Sequence, residues 1–598
     1  MQQLGTQTGT ARGTKLSKAE YGSDLIVEML GALGIPYASL NPGSSYRGIH
    51  DSLVNFGDPN TPEMVVSMHE EIAVAIAHGY ARATGKPLAA IVHNVVGLQH
   101  ASMAIYNAWC DRIPMLVLGG TGPNATDHRR NHIDWVHTAN VQGNIVRDWV
   151  KWDDQPASVA AFTDSILRGY RLAMTEPSAP VYLCFDVDLQ EEPISTPMML
   201  PDLARYAPPT APGPNPDALR QVAQLLNDAQ WPVILADSVG RHHEAVPALI
   251  ELAELLAAPV VSTGARFNIA STHPLNTSTS REEVLGKADV VLALDVFDLS
   301  GALGPGIRPD RLESQFISDT AKIVHISLWD LLQHSLISDY ERLNPVDIAI
   351  SADTTVALPL LSEALRRAMS GDSSSARRVE DRRRAVEDVQ ARAEERRRSG
   401  ARRGWDSRPI SYDRMSNELW QVVKDVPWSF VNGGGRGGDW EITEPEQVGG
   451  GTRGAGLGHA AAAAVGGALA WKGAGRLCLS IIGDGDMLYT PQSLWTAAHM
   501  KVPLLTIVNN NRSYGNDEGH QEYLAKVRGR PVENKGVGIY IEDPNTNFAK
   551  LADSFDVEGF GPVQDPNEMR GVLQRAADIV MKEQRPVLVE VLTQRGRG

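Results

Sequence analysis

The chain has 598 residues, 42% of them hydrophobic and 21% charged, a balance that excludes a wholly disordered protein. Fifty-six basic residues face 72 acidic ones, for a formal net charge of −16, which argues against a general nucleic-acid binder. Cys110, Cys184 and Cys478 lie too far apart for a disulfide framework or a Cys-based zinc site. Their apolar neighbours read as buried thiols in a reducing compartment.

Residues 1–19 are polar and lack the apolar core of a signal peptide, so a disordered tail is expected. No apolar run approaches the roughly 18–20 residues of a membrane span. A cytoplasmic location without membrane partners follows. From Tyr21 the pattern becomes regular. Leu25, Ile26, Met29, Leu30 and Leu33 fall at helical spacing, and strand-like runs follow at 37–40, 89–92, 115–118 and 181–187. Strands alternating with helices indicate an α/β domain with a mostly parallel sheet over 20–195. A Pro-rich linker (196–215) leads to a second α/β segment (216–370), with buried strands at 232–236, 259–262, 290–294 and 323–326 and a helix at 245–257.

Residues 371–409 form an Arg/Glu-rich linker. Between Arg377 and Arg403 there are eleven arginines but also six acids, which reads as a solvated helix rather than a nucleic-acid patch. Val379, Val386, Val389 and Ala393 give that helix one weak apolar stripe. A third α/β segment occupies 410–598. It echoes the first: NAWCDRIPMLVLGG (107–120) parallels TAAHMKVPLLTIVNN (496–510), and APVYLCFDV (179–187) parallels RPVLVEVLT (585–593). A duplicated α/β unit interrupted by a different one is the expected architecture.

Chemistry concentrates in the third segment. The buried run CLSII ends in Gly483-Asp484-Gly485, and 24 residues separate Gly485 from Asn510-Asn511. A helix (493–500) and a strand (504–508) between them bring Asn511 to the same carboxyl edge as Asp484, where ligands bind in open α/β sheets. One carboxylate and one amide oxygen converging beside a glycine suit Mg²⁺, a hard cation that usually keeps places for a substrate diphosphate.

This pattern resembles the thiamine-diphosphate signature. The chain as a whole resembles the three-domain thiamine-diphosphate enzymes of the benzoylformate decarboxylase and acetolactate synthase type, over about 20–195, 215–370 and 410–597. The resemblance implies three doubly wound parallel-sheet domains, of which the first binds the pyrimidine and the third the diphosphate and Mg²⁺. It implies Asp484, Asn511 and the backbone oxygen of Ser513 as metal ligands. Gly485 and Asp486 then contact the diphosphate through backbone N–H groups, and Tyr514 lies beside them. An acidic side chain at Asp486 would have to point away from the phosphates. Asn432-Gly433-Gly434-Gly435 resembles a second loop that cradles the diphosphate through Gly434 and Gly435, with Arg436 either adding a contact or facing solvent.

The cofactor's aminopyrimidine needs a carboxylate. In HEEIAVAIAHGYARATG (69–85), Glu70 and Glu71 open a helix, where acids are ordinarily dipole partners. The family's glutamate stands nine positions before the Gly of Gly-Tyr-Ala, which here is Glu70. It would share a proton with a ring nitrogen, and an apolar surround is expected to raise its pKa. In Arg453-Gly454-Ala455-Gly456-Leu457-Gly458, the carbonyl of Ala455 is expected to hold the pyrimidine amino group and Leu457 to bend the cofactor. Simple core packing is the other reading of Leu457.

Benzoylformate decarboxylases carry a Ser in Asn-Pro-Gly-Ser, a His after a strand and a His before Pro in the central domain. The matching residues are Ser44, His93 and His273. The implied reaction holds a 2-oxo acid on Ser44, uses the thiazolium as electron sink while CO₂ leaves, and relays protons through His93 and His273. After Tyr514 the chain departs from the family: Asn516, Asp517, Glu518 and His520 either line a more polar pocket or form a surface loop. Alternatives are an acetolactate-synthase-like carboligase, a diketone C–C hydrolase, and a non-catalytic structural or regulatory protein. FAD, which some relatives hold on the central domain, has no specific motif here. The resemblance also implies a homodimer at minimum, pairing into a homotetramer, with sites between subunits.

Overall fold

The computed structural model describes residues 15–130, 132–264, 266–305, 315–332, 344–400, 404–434 and 439–596. They form two compact units, one within residues 15–210 and one comprising essentially all of 211–596.

The first unit is built on strands Tyr37–Leu40 (β1), Glu63–Val66 (β2), Ala89–Val92 (β3), Met115–Thr121 (β4), Asp153–Asp154 (β5) and Pro180–Asp186 (β6). Their order is β2-β1-β3-β4-β6-β5, all parallel. β3, β4 and β6 are buried along their whole lengths, as continuous apolar runs covered on both faces must be. Helix α1 (Glu70–Thr84) follows β2, and helix α2 (Val95–Cys110) follows β3. α1 is buried nearly all round, with Ile72, Ala73, Val74, Ala75, Ile76 and Ala77 all buried. The tail ends earlier than residue 19: Lys15–Leu16 pairs antiparallel with Met199–Leu200.

The second unit holds two sheets. Pro232–Ala236 (β7), Val260–Ser262 (β8), Val290–Leu294 (β9), Lys322–Ile326 (β10) and Ile348–Ile350 (β11) make one, in the order β8-β7-β9-β10-β11. Helices Pro216–Asp228 (α3) and Ala245–Leu256 (α4) pack on it. The Arg-rich segment is indeed a helix, Ser375–Gly400 (α5), but it is docked rather than free. Its Val386 and Val389 are buried against the central sheet's two apolar layers. Its buried Arg382 donates to the carbonyls of Leu256 and Ala229, both at 2.8 Å, at the C-terminal ends of α4 and α3. A cation there answers the unpaired carbonyls and the negative end of each helix dipole.

The third sheet comprises Trp428–Asn432 (β12), Leu477–Gly483 (β13), Leu505–Asn510 (β14), Glu558–Val563 (β15) and Val587–Leu592 (β16), in the order β12-β13-β14-β16-β15. Strand for strand this repeats β1-β3-β4-β6-β5 of the first unit; β2 is the extra edge. The duplication expected from the sequence is therefore present in the topology, and β3 and β13 are equivalent strands. Helices His459–Ala470 (α6), Asp484–Met487 (α7) and Gly515–Val527 (α8) complete the elements that shape the site. Among the described residues no helix is long and apolar enough to cross a membrane.

Candidate active site

Two clusters stand at the carboxyl edges of the equivalent strands. In the first unit Glu70 begins α1 and is buried, 4% exposed. Its Oε2 lies 3.1 Å from His100 Nδ1, and the Asn41 side chain also hydrogen-bonds it. Burial pushes the Glu70 carboxyl up, but these partners outweigh it and the net direction is down. That corrects the expectation of a raised value: the pocket around Glu70 is lined by donors and not only by apolar atoms. α2 crosses Glu70 closely. A Cβ on Gly97 would come within 2.8 Å of both Glu70 Oε1 and His93 Cβ, so only glycine fits between them. Glu71 is half-buried beside it.

His93 ends β3 and is half-buried. Its Nδ1 is 2.9 Å from Ser45 Oγ, and its ring meets His137 edge-on, with centroids 5.7 Å apart. Burial, then the neighbouring His137, lowers its pKa against an opposing pull from Glu70. Ser44 is exposed at the start of the same turn; the serine bonded to His93 is Ser45. Sequence reasoning missed Ser45, His100 and His137. The Ser44-Ser45 pair was visible, but which of them turns inward depends on the 3₁₀ turn Ser44–Tyr46.

His273 lies in the turn before Asn276, which bridges to β8. Its Nδ1 accepts the Leu275 N–H at 3.1 Å and its Nε2 lies 3.3 Å from Glu254 on α4. Both ring nitrogens are engaged in holding a turn on the central sheet.

In the second unit Asp484 follows β13 and is 2% exposed. Backbone N–H groups, those of Arg512 and Ser513 among them, point at the carboxylate. Its Oδ2 is buried and has no hydrogen-bond partner among the described residues. Burial, only partly offset by the N–H groups, raises its pKa to about 6. Asn511 follows the neighbouring strand, β14, and its Oδ1 accepts the Ser513 N–H at 2.9 Å. A buried carboxylate oxygen without a partner, beside an amide oxygen and a backbone carbonyl, suits a hard divalent cation. Ser513 Oγ donates to the buried Glu518 at 3.0 Å, and Glu518 in turn meets Tyr540 and Lys535. Glu518 thus props the Asn511–Ser513 turn, while Asn516, Asp517 and His520 are exposed along α8.

Gly485 packs under Tyr514: a Cβ there would lie 2.5 Å from the ring. The Asp486 carboxylate accepts the Gly458 N–H at the start of α6. It ties the 453–458 loop to the Asp484 turn. In that loop Ala455 has φ +50°, a left-handed conformation rare for a non-glycine residue, and Leu457 is 41% exposed rather than packed in the core. Arg453 anchors the loop through Asp237 at 2.9 Å and Ser238 at 2.6 Å, at the carboxyl end of β7. Gly434 is exposed and accepts from Tyr412 Oη. Gly435 and Arg436 lie outside the described residues.

Models of the N-terminal TPP binding domain, the central domain and the C-terminal TPP binding domain of thiamine pyrophosphate enzymes match residues 21–142, 219–359 and 440–591 in turn. The chain belongs to the thiamine pyrophosphate enzyme family. It is 25% identical over 564 residues to benzoylformate decarboxylase of Pseudomonas aeruginosa, covering 91% of this chain and 97% of that protein. It is 22% identical over 595 residues to acetolactate synthase of Bacillus subtilis, covering 95% and 92%. Among solved structures, benzoylformate decarboxylase from Polynucleobacter necessarius superimposes with a TM-score of 0.73 at 20% identity, covering 97% of this chain and all of that one.

Proposed function

We propose that the protein is a thiamine-diphosphate- and Mg²⁺-dependent 2-oxo acid decarboxylase. The observation that carries this reading is His93, an imidazole bonded to Ser45 and paired with His137, with Gly97 packed between it and Glu70. A proton carrier beside the cofactor-activating carboxylate serves a reaction that ends in protonation. The Asp484 carboxylate and the oxygens of Asn511 and Ser513 would hold Mg²⁺, which in turn would hold the diphosphate; the buried Oδ2 without a partner supports that fit. When bound, the cofactor supplies a nucleophilic carbon and an electron sink for the departing carboxylate's electrons.

The chain's own residues do the rest. Glu70 would share a proton with the cofactor's pyrimidine. The Ala455 carbonyl, on a left-handed backbone, would accept from the pyrimidine amino group, and exposed Leu457 would pack against the cofactor. Ser44 and Ser45 orient the 2-oxo acid, and His93, with His137 behind it, delivers the proton that completes the aldehyde. His137 takes the place that the sequence offered to His273. The reading includes the domain roles: pyrimidine on the first sheet, diphosphate and metal on the third.

Incubating the Mg²⁺- and thiamine-diphosphate-loaded protein with phenylglyoxylate and with pyruvate tests this. CO₂ together with free aldehyde is the expected outcome. CO₂ together with a 2-hydroxy ketone as main product would make it a carboligase, the reading favoured by its likeness to acetolactate synthase. Absence of CO₂ from a broader panel of 2-oxo acids would overturn the assignment.

A further inference from the structure

Glu70 is buried, yet its task requires a proton that comes from and returns to water. Its side chain is 6% exposed, whereas the His100 side chain bonded to it is 49% exposed. His100 stands three residues after Gly97 on α2, so the two share the helix face that crosses Glu70. Its Nδ1 meets Glu70 Oε2 at 3.1 Å, leaving Nε2 as the ring's other proton site. His69 stacks on it, with centroids 4.8 Å apart and planes 22° apart, and is itself fixed because its Nδ1 accepts the Glu71 N–H at 3.2 Å.

We infer that His100 is a positioning residue that connects Glu70 to solvent, passing protons between water and the cofactor-activating carboxylate. The inference rests on the assignment of Glu70 proposed above. In one direction the His100 Nδ1–H bond breaks as a Glu70 Oε2–H bond forms, and Nε2 takes a proton from water; the reverse returns it. The other titratable groups around Glu70 are His69, His93 and Tyr46. Burial pushes the Tyr46 phenol up, and the His69 Nδ1 is occupied by the Glu71 N–H, whereas His100 is hydrogen-bonded directly to the carboxylate. His93 is engaged with Ser45 and His137.

Two measurements test this. In cofactor-free protein labelled with ¹⁵N-histidine, His100 should carry its proton on Nδ1, and that signal should change in Glu70→Gln. A His100 ring protonated only at Nε2 could not donate to the carboxylate and would overturn the inference. In protein saturated with Mg²⁺ and thiamine diphosphate, exchange of the cofactor's C2 hydrogen for deuterium should fall about tenfold or more in His100→Ala and His100→Gln, the lower end of general acid–base effects. Added imidazole should restore the rate in His100→Ala. Wild-type exchange in both variants, or a loss that imidazole does not restore, would overturn the inference. If Glu70→Gln also exchanges at the wild-type rate, the assignment of Glu70 itself fails, which separates the two ideas.

Discussion

A carboxylate that activates a cofactor must hold a proton loosely, and Glu70 is surrounded by groups that keep it charged in the free protein. Its folded-state pKa lies below the ordinary 4.5 because His100 and Asn41 outweigh burial. A depressed carboxylate contributes stability above the unfolded value, and that contribution is lost as the pH falls through the folded value. The urea midpoint of the wild type should therefore drop relative to that of Glu70→Gln on going below about pH 4.5. Parallel curves would show that His100 and Asn41 do not stabilise the charge. In turnover, Glu70→Gln should lose about two orders of magnitude or more, since the amide cannot share the proton. His93→Ala should behave differently. C2 exchange should stay fast while aldehyde formation falls about a hundredfold. Collapse of both would place His93 at the cofactor rather than at the substrate. The positions of Asp484 and Asn511 just after neighbouring strands, and of Glu70 at a helix start, were legible because strand runs and helical spacing reveal them. His100 and Ser45 were not, because their roles arise from α2 packing across α1 and from the sense of a three-residue turn. The surroundings of His273 were not legible either: a His-Pro pair is a local pattern, and only the fold reveals the contacts of its ring with the Leu275 N–H and Glu254.

At the scale of elements, the Arg-rich segment illustrates what composition cannot convey. Eleven arginines among six acids read as solvent-facing charge, and most of α5 fits that description. Yet Val386 and Val389 dock on the central sheet, and Arg382, 4% exposed, bridges the ends of two other helices. Burial, together with the neighbouring Arg378, lowers the Arg382 pKa to about 10, still far above neutrality, so the cation persists. Arg382→Met keeps the length and removes both donors. It should destabilise the second unit by about 2–4 kcal/mol, because two buried carbonyls lose their partner. The urea transition reports this, and an unchanged midpoint would mean that α5 is held by its valines alone. Asp486 makes a similar point in the site. The resemblance required only that it point away from phosphate; its bond to the Gly458 N–H, which joins the 453–458 loop to the Asp484 turn, depended on where α6 begins.

At the scale of the whole molecule, the duplicated sheets carry unlike equipment. The equivalent strands β3 and β13 are followed by His93 and Asp484, so one copy offers imidazoles and the buried Glu70 while the other offers a buried carboxylate oxygen without a hydrogen-bond partner among the described residues. A two-fold axis that sets the first sheet of one chain against the third sheet of another would complete two identical sites at once, which is why a homodimer is the smallest assembly proposed. Asp484→Ala should then fail in binding and not merely in rate. Mg²⁺ and thiamine diphosphate stabilise the native state of the wild type by mass action, so its melting temperature should rise with cofactor while that of the variant stays flat. Mixing inactive Glu70→Gln with inactive Asp484→Ala chains gives the decisive comparison. In a mixed dimer one site combines both lesions, and the other combines intact Glu70 from one chain with intact Asp484 from the other. Random exchange makes about half the dimers mixed, each with one working site of two, so activity should recover to about a quarter of the wild-type value. Recovery would also need cofactor concentrations that saturate the single intact site. No recovery, once exchange of labelled subunits has been demonstrated, would mean that each chain builds its own site, and the partition of roles between the two sheets would have to be read within one chain.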